Sequence, residues 1–142
     1  MKVFIGGIMQ GSRHDLDIDD QDYRRVIAEA IVERHPGAEI LDPNELHPNG
    51  VTYDDEMAKG TLLEMFKVAS KADLLVAYAP TASMGTAIEM WHAYASGAPV
   101  ITISPMAANW VVKYLSAAVL PDLAAFRLWV ADGGLDNLNN LD

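Results

Sequence analysis

An α/β architecture, with a mostly parallel five-stranded sheet and helices on both faces, is expected from two features of the chain. Short apolar runs alternate with segments of helical apolar spacing, the pattern of repeated strand and helix units. One run, Leu74–Tyr78, contains no charged residue, as a strand covered on both faces requires. It leads through Ser83 and Gly85 into a helical segment carrying Glu89, and in open α/β sheets that strand-to-helix corner is where ligands bind. A length of 142 residues with 51% hydrophobic content suits one domain with a substantial core. The expectation is a doubly wound, Rossmann-like or flavodoxin-like domain over residues 1–142, with its core in 2–130 and a polar tail in 131–142.

The elements follow in order. Lys2 to Ile5 reads as the first strand, running into the glycine-containing loop Gly6 to Arg13. Asp22 to Arg34 has helical spacing at Tyr23, Ile27, Ala30 and Ile31 and stops at His35-Pro36-Gly37. Glu39 to Leu41 is a short second strand, and Asp42 to Gly50 a loop rich in turn formers, long enough to carry function. Tyr53 to Lys71 reads as a long helix presenting Met57, Leu62, Leu63, Phe66, Val68 and Ala69 to the core, with Gly60 a weak point. After the Leu74–Tyr78 strand, Thr86 to Ser96 is a helix closed by Gly97, and Pro99 to Ile103 a fourth strand. Asn109 to Ala118 is expected as a helix and Phe126 to Val130 as the last strand, with a short helix or a frayed end in the tail.

Charge and composition exclude several classes of function. A net charge of −10 opposes non-specific binding to nucleic acid and to anionic membranes. The absence of cysteine removes disulfides and thiolate chemistry. The N-terminal apolar run is too short for a signal peptide and no run approaches the roughly 20 residues of a membrane span, so a soluble, cytoplasmic protein is expected. Gly6-Gly7-Ile8-Met9-Gln10-Gly11 lacks the spacing of a dinucleotide fingerprint and no Gly-Lys-Ser/Thr follows. Asp15 to Asp20 lacks the glycine and glutamate of a calcium loop. Glu89 and His92 form a single Glu-x-x-His pair where a di-metal site needs two. No metal and no cofactor are expected. His14 and His35 fit capping and turn roles, whereas His47, in the long loop, is kept as a possible contact. Trp91, Trp110 and Trp129 are expected in the core or an interface. From spacing alone Glu89 is either a carboxylate complementing a helix dipole or a nucleophile or base beside a concave site of backbone N–H groups.

Phe4-Ile5-Gly6-Gly7, Ala72 to Ala77, Ser83-Met84-Gly85-Thr86-Ala87-Ile88-Glu89 and Ala98 to Ile103 together resemble the nucleoside 2-deoxyribosyltransferases. They are similar also to the related 2'-deoxynucleoside 5'-phosphate N-hydrolases. The similarity covers roughly residues 2 to 120, and Ser-x-Gly-x-x-x-Glu is its most specific part. The resemblance implies a glutamate, at the position of Glu89, that attacks the anomeric carbon of an N-glycoside and forms a glycosyl ester resolved by water or a second base. It implies that Ser83 and Gly85 hold a 5'-hydroxyl or phosphate, that Asp73 orders the strand end, and that Gly6, Gly7 and Gln10 line the sugar and base. Ser12 and Arg13 become anion contacts. The family forms dimers in which a neighbour completes the site, with Asn109 in the matching segment.

The family's usual aspartate, eight residues before Asp73, is replaced by Met65, with Glu64 adjacent. Protonation of the leaving base then falls to Asp42, Glu45, His47, Asp54 or Asp55. The leading expectation is N-glycosidic cleavage or transfer on a nucleoside or nucleotide through Glu89, by a homodimer or higher homo-oligomer with a shared site. The alternative is a catalytically inactive nucleotide-binding or sensing module on the same fold. A third is an interaction protein using the apolar Trp110 to Leu115 stretch.

Overall fold

The computed structural model describes residues 1–11, 13–15 and 17–140. Strands β1 (Lys2–Gly7), β2 (Glu39–Leu41), β3 (Leu74–Tyr78), β4 (Val100–Ile103) and β5 (Ala118–Leu120) form one five-stranded sheet in the order β2-β1-β3-β4-β5. Every pairing is parallel, rather than most of them. The helices are α1 (Asp22–Arg34), α2 (Pro43–Leu46), α3 (Asp55–Ala69), α4 (Met84–Ala95), α5 (Trp110–Leu115) and α6 (Leu123–Ala131), with 3₁₀ turns at Gly50–Thr52 and Gly134–Asn140. The sheet order reverses between β1 and β3, which puts the switch point of the doubly wound sheet beside the end of β1.

Alternation along the strands divides the core into two layers. Val3 and Ile5 point to one face and pack with Ile27 and Ile31 of α1 and Phe126 and Val130 of α6. Phe4 points to the other and packs with Met65 and Ala69 of α3 and Met90 and Ala93 of α4. The central strand β3 is apolar throughout and β4 at every position but Thr102, because both faces are covered.

The expected strand at Phe126 to Val130 is instead helix α6, and the fifth strand is Ala118–Leu120. Asp122 caps α6 by accepting from the Ala125 N–H at 2.8 Å, and Phe126 and Val130, four apart, form the buried stripe of a helix. The aromatic and β-branched content that suggested a strand serves helix packing here. The preceding helix correspondingly ends at Leu115, because Ala117 and Ala118 are drawn into pairing beside β4.

Other boundaries move less. β1 runs two residues further than expected, α3 begins after Asp54, which caps it, and α4 begins directly after its cap Ser83. The long loop contains the single turn of α2. On α3 only Met65, Phe66 and Ala69 are buried; Met57, Leu62 and Leu63, expected in the core, are exposed. Within the described part of the tail, Gly134–Asn140 is a 3₁₀ turn whose Leu135 is buried among α1 and α6 residues, so the core reaches beyond residue 130.

Strand β2 pairs only with Lys2, Val3 and Phe4, so β1 overhangs it by Ile5, Gly6 and Gly7. Arg24 of α1 fills the space where β2 would continue. Its Nη1 donates to the Ile5 carbonyl at 2.7 Å and to Asp42 Oδ1 at 3.0 Å, and its Nε donates to Gln21 Oε1 at 2.7 Å. Arg24 is 3% and Asp42 6% exposed, and removing one partner from such a pair leaves an uncompensated buried charge. Asp42→Ala is expected to destabilise the fold by about 3–5 kcal/mol in urea unfolding, and Arg24→Met with Asp42→Leu to recover part of that loss.

Candidate functional site

The site forms where β1 ends. A Cβ on Gly6 would stand 2.7 Å from Glu89 Oε2, and a Cβ on Gly7 would overlap the ring of Tyr23 on the opposite face. Glycine at both positions therefore lets a carboxylate and a phenol approach the same stretch of backbone from its two sides. Tyr23 stacks on Tyr78 at 4.3 Å between centroids and donates its hydroxyl to the Ile8 carbonyl at 3.1 Å. Burial holds that hydroxyl protonated, well above the usual tyrosine range.

Glu89 lies in the second turn of α4, whose start is set by Ser83. The Ser83 Oγ accepts from the Thr86 N–H at 3.4 Å and from the Thr86 hydroxyl at 2.9 Å. Six residues of descent from that cap bring Glu89 over Gly6. The residue keeps a partial opening to solvent, yet protein encloses its carboxyl. Burial raises its pKa from 4.5 to about 8, against a smaller opposing pull from the Arg24 guanidinium.

Two further groups of side chains lie beyond the C-terminal ends of the strands. On the β2 side, His47 Nδ1 lies 3.2 Å from the Tyr53 hydroxyl and its Nε2 lies 3.8 Å from Glu64 Oε2. On the β3 and β4 side a cavity of about 390 Å³ opens between the start of α4 and α5, lined by Ser83, Thr86, Met90, Met106, Asn109 and Val112 among others. A larger open groove of about 700 Å³ lies between α1 and α6, away from Glu89.

An all-parallel doubly wound sheet with an enclosed carboxyl at its switch point defines an α/β protein with a ligand corner of the kind such sheets use. More particularly, it has the fold of the nucleoside 2-deoxyribosyltransferases. It superposes on a 2-deoxyribosyltransferase from Bacillus psychrosaccharolyticus with a TM-score of 0.64 at 18% identity, covering 89% of this chain and 90% of that one. A conserved protein from Enterococcus faecalis V583 gives 0.62 at 19%, covering 93% and 98%. A Clostridium botulinum CMP N-glycosidase gives 0.54 at 15%, covering 92% and 98%. No family model and no curated protein sequence matches the chain.

The residues singled out from sequence separate into groups. Gly6, Gly7 and Glu89 meet at the end of β1, while Ser83, Gly85 and Asn109 gather around the start of α4 and the cavity. The space beside Gly85 is open. Asn109 caps α5, its Oδ1 accepting from the Val111 N–H at 3.0 Å. Gln10 is exposed on the loop, and its carbonyl accepts from the Arg13 N–H at 3.0 Å. Ser12 lies outside the described residues. Arg13 does not present a bare cation, because its Nε donates to Asp19 Oδ1 at 3.0 Å. Asp73 orders its strand, as expected, but as a substrate-binding residue it is a correction: it precedes β3 at the opposite edge of the sheet and accepts from the Lys2 N–H at 2.6 Å. It pins the beginnings of β1 and β3 together and is remote from Glu89.

Sequence reasoning missed Tyr23, Arg24 and Tyr53. A signal for Arg24 existed, since it stands three residues before Ile27 and seven before Ile31, inside the apolar stripe of α1.

Glu89 also couples stability to pH. With a folded pKa near 8 against 4.5 unfolded, the folded state holds the extra proton between those values. Stability is therefore greatest below pH 4.5 for this group and falls as pH rises through 8. Glu89→Gln cannot ionise, so at pH 9 it is expected to exceed the parent protein by roughly 1–3 kcal/mol, with the gap closing near pH 4 in thermal melts.

Proposed function

We propose that this protein cleaves or transfers across the N-glycosidic bond of a nucleoside or nucleotide, with Glu89 as nucleophile. The observation that carries this reading is the enclosed Glu89 carboxyl seated over side-chain-free backbone at the switch point. The fold shared with a 2-deoxyribosyltransferase and a CMP N-glycosidase supports it. An ionised Oε attacks the anomeric carbon as the carbon–nitrogen bond breaks, its electron pair leaving with the base, which takes up a proton. Water or a second base then attacks the same carbon, displacing the carboxylate. The transition states carry positive charge on the sugar ring, which a carboxylate in a low-dielectric setting stabilises strongly.

The proton for the leaving base comes, in this reading, from His47. Met65 is buried in the core and offers no acid. Asp42 is committed to Arg24, and Asp54 accepts from the Met57 N–H as the cap of α3. His47 keeps its Nδ1 3.2 Å from the Tyr53 hydroxyl and its Nε2 3.8 Å from Glu64 Oε2, so the ring is held between two polar groups and can serve as the acid. A binding module without turnover is the reading that the loss of the aspartate at Met65 favours.

Brief mixing with 2'-fluoro nucleosides and nucleotides, followed by intact mass spectrometry, is expected to give a sugar-sized adduct on Glu89. Free base is expected from the natural substrates, none from Glu89→Ala, and kcat/KM should rise with pH as Glu89 ionises and fall again on the alkaline side as the general acid loses its proton. Saturable binding with neither adduct nor free base would select the binding module.

We further propose that a second copy of the chain covers the outer face of α4 and α5. Met84, Ile88 and Trp91 follow one another at helical spacing in the open, and Trp110 is 77% exposed one helix away. This surface borders the cavity through Met84 and Asn109, so a neighbour seated there would complete the site. Sedimentation is expected to give a dimer or larger assembly, and Trp91→Lys with Ile88→Asp to give a monomer with reduced turnover.

A further inference from the structure

Arg24 holds more of the end of β1 than an ion pair with Asp42 requires. The Glu39 N–H donates to the Met1 carbonyl at 2.9 Å, and four residues further along the same parallel ladder residue 43 would meet the Ile5 carbonyl. Residue 43 is proline and has no N–H to give. Arg24 supplies the donors instead, its Nη1 reaching the Ile5 carbonyl at 2.7 Å and its Nη2 the Gly7 carbonyl at 3.5 Å. These two carbonyls bracket Gly6, whose bare backbone lies beneath the Glu89 carboxyl. One guanidinium thus holds both sides of the floor on which the proposed nucleophile rests.

The same Nη1 donates to Asp42 Oδ1 at 3.0 Å, and that oxygen accepts from the Asn44 N–H at 2.8 Å as the cap of α2. The turn of α2 ends at His47, so a shift of Arg24 would move the floor under Glu89 and the root of the His47 turn together. The other titratable groups near Glu89 are committed elsewhere. Tyr23, next to Arg24 on α1, keeps its proton and donates to the Ile8 carbonyl. On α4 itself His92 stacks on Phe66 of α3 at 5.5 Å, while Glu64 of α3 lies toward His47 and Met65 is apolar. Among the described residues Arg24 is the cation whose charge acts on Glu89, against the effect of burial.

We propose that Arg24 is the positioning residue for Glu89: it fixes the Gly6 backbone beneath the carboxyl and keeps that floor in register with the Asp42 turn. It touches no reacting atom and acts through Glu89. The proposal rests on the reading of Glu89 as the nucleophile of an N-glycoside reaction.

The test follows free-base release against pH in variants shown to be folded by urea unfolding. In Arg24→Met with Asp42→Leu, which leaves no uncompensated charge, kcat is expected to fall at least about tenfold with KM little changed. The acid limb of kcat/KM, which reports Glu89, is expected to move up by at least about half a pH unit as the cation is lost. Arg24→Gln with Asp42→Asn, a neutral pair that keeps a donor and an acceptor, is expected to do the same and decides the matter where the first variant does not fold. Arg24→Lys keeps the charge but cannot span both carbonyls and Asp42, so the acid limb is expected to stay near the parental pH with kcat only partly recovered. An acid limb or a kcat that stays parental in the folded charge-free variants would overturn the proposal, because a pair serving stability alone leaves both in place. If the parent protein releases no base from any nucleoside or nucleotide, the reaction falls, and the carboxyl carbon resonance of Glu89, assigned by its loss in Glu89→Gln, is titrated instead. The same upward displacement in the charge-free variants would sustain the role of Arg24 toward Glu89, and an unmoved midpoint would overturn it as well.

Discussion

The arrangement of this protein depends on the absence of side chains at the end of β1. Gly6 admits the carboxyl of Glu89 from the α4 face, and Gly7 admits the ring of Tyr23 from the α1 face. A methyl group at Gly6 would drive Glu89 away from the backbone, and one at Gly7 would collide with an aromatic ring held by stacking on Tyr78. Both helices are therefore positioned by what β1 lacks. A strand end without side chains would be a weak point in most sheets. Here its free edge is closed by the Arg24 guanidinium, which stands in for the missing continuation of β2.

The electrostatics follow from that geometry. Arg24 is buried, but Asp42 and the Ile5 carbonyl absorb most of its charge, leaving only a residual pull on Glu89. Desolvation prevails and keeps the carboxyl neutral over much of the physiological range. A neutral carboxyl rests comfortably against apolar surroundings but is a poor nucleophile. A ligand that develops positive charge at the sugar shifts that balance, because the ionised form gains a partner only then. The same enclosure that stabilises the resting protein makes its carboxylate effective once substrate is bound.

Much of this was legible in order along the chain. The strands Leu74–Tyr78 and Glu39–Leu41, the helix Asp22–Arg34 and the cap at Ser83 each obey local rules of apolar patterning, capping and termination. Segments whose residues fit either structure were misjudged. Phe126 and Val130 suit strand or helix equally, and the fall of Ala118 into pairing with Ile101 decided between them. The outward turn of Leu62 and Leu63 was hidden for a related reason, since α3 is apolar around much of its circumference while the sheet and α4 cover only part of it.

The candidate site divides the same way. By itself the sequence determined the strand-to-helix corner, the capped start of α4 and the presence of Glu89 one and a half turns later, because these depend on residues close together in the chain. Tertiary structure alone decided that Asp73 faces the far edge, that Asp19 holds Arg13, that Asp42 neutralises Arg24, and that His47 meets Tyr53 and Glu64. Charges act through space, and their partners are chosen by which loops the sheet order brings together. The physical reason is one of range: capping and periodicity act within a few residues, whereas burial and charge pairing act between elements that only the folded chain makes neighbours.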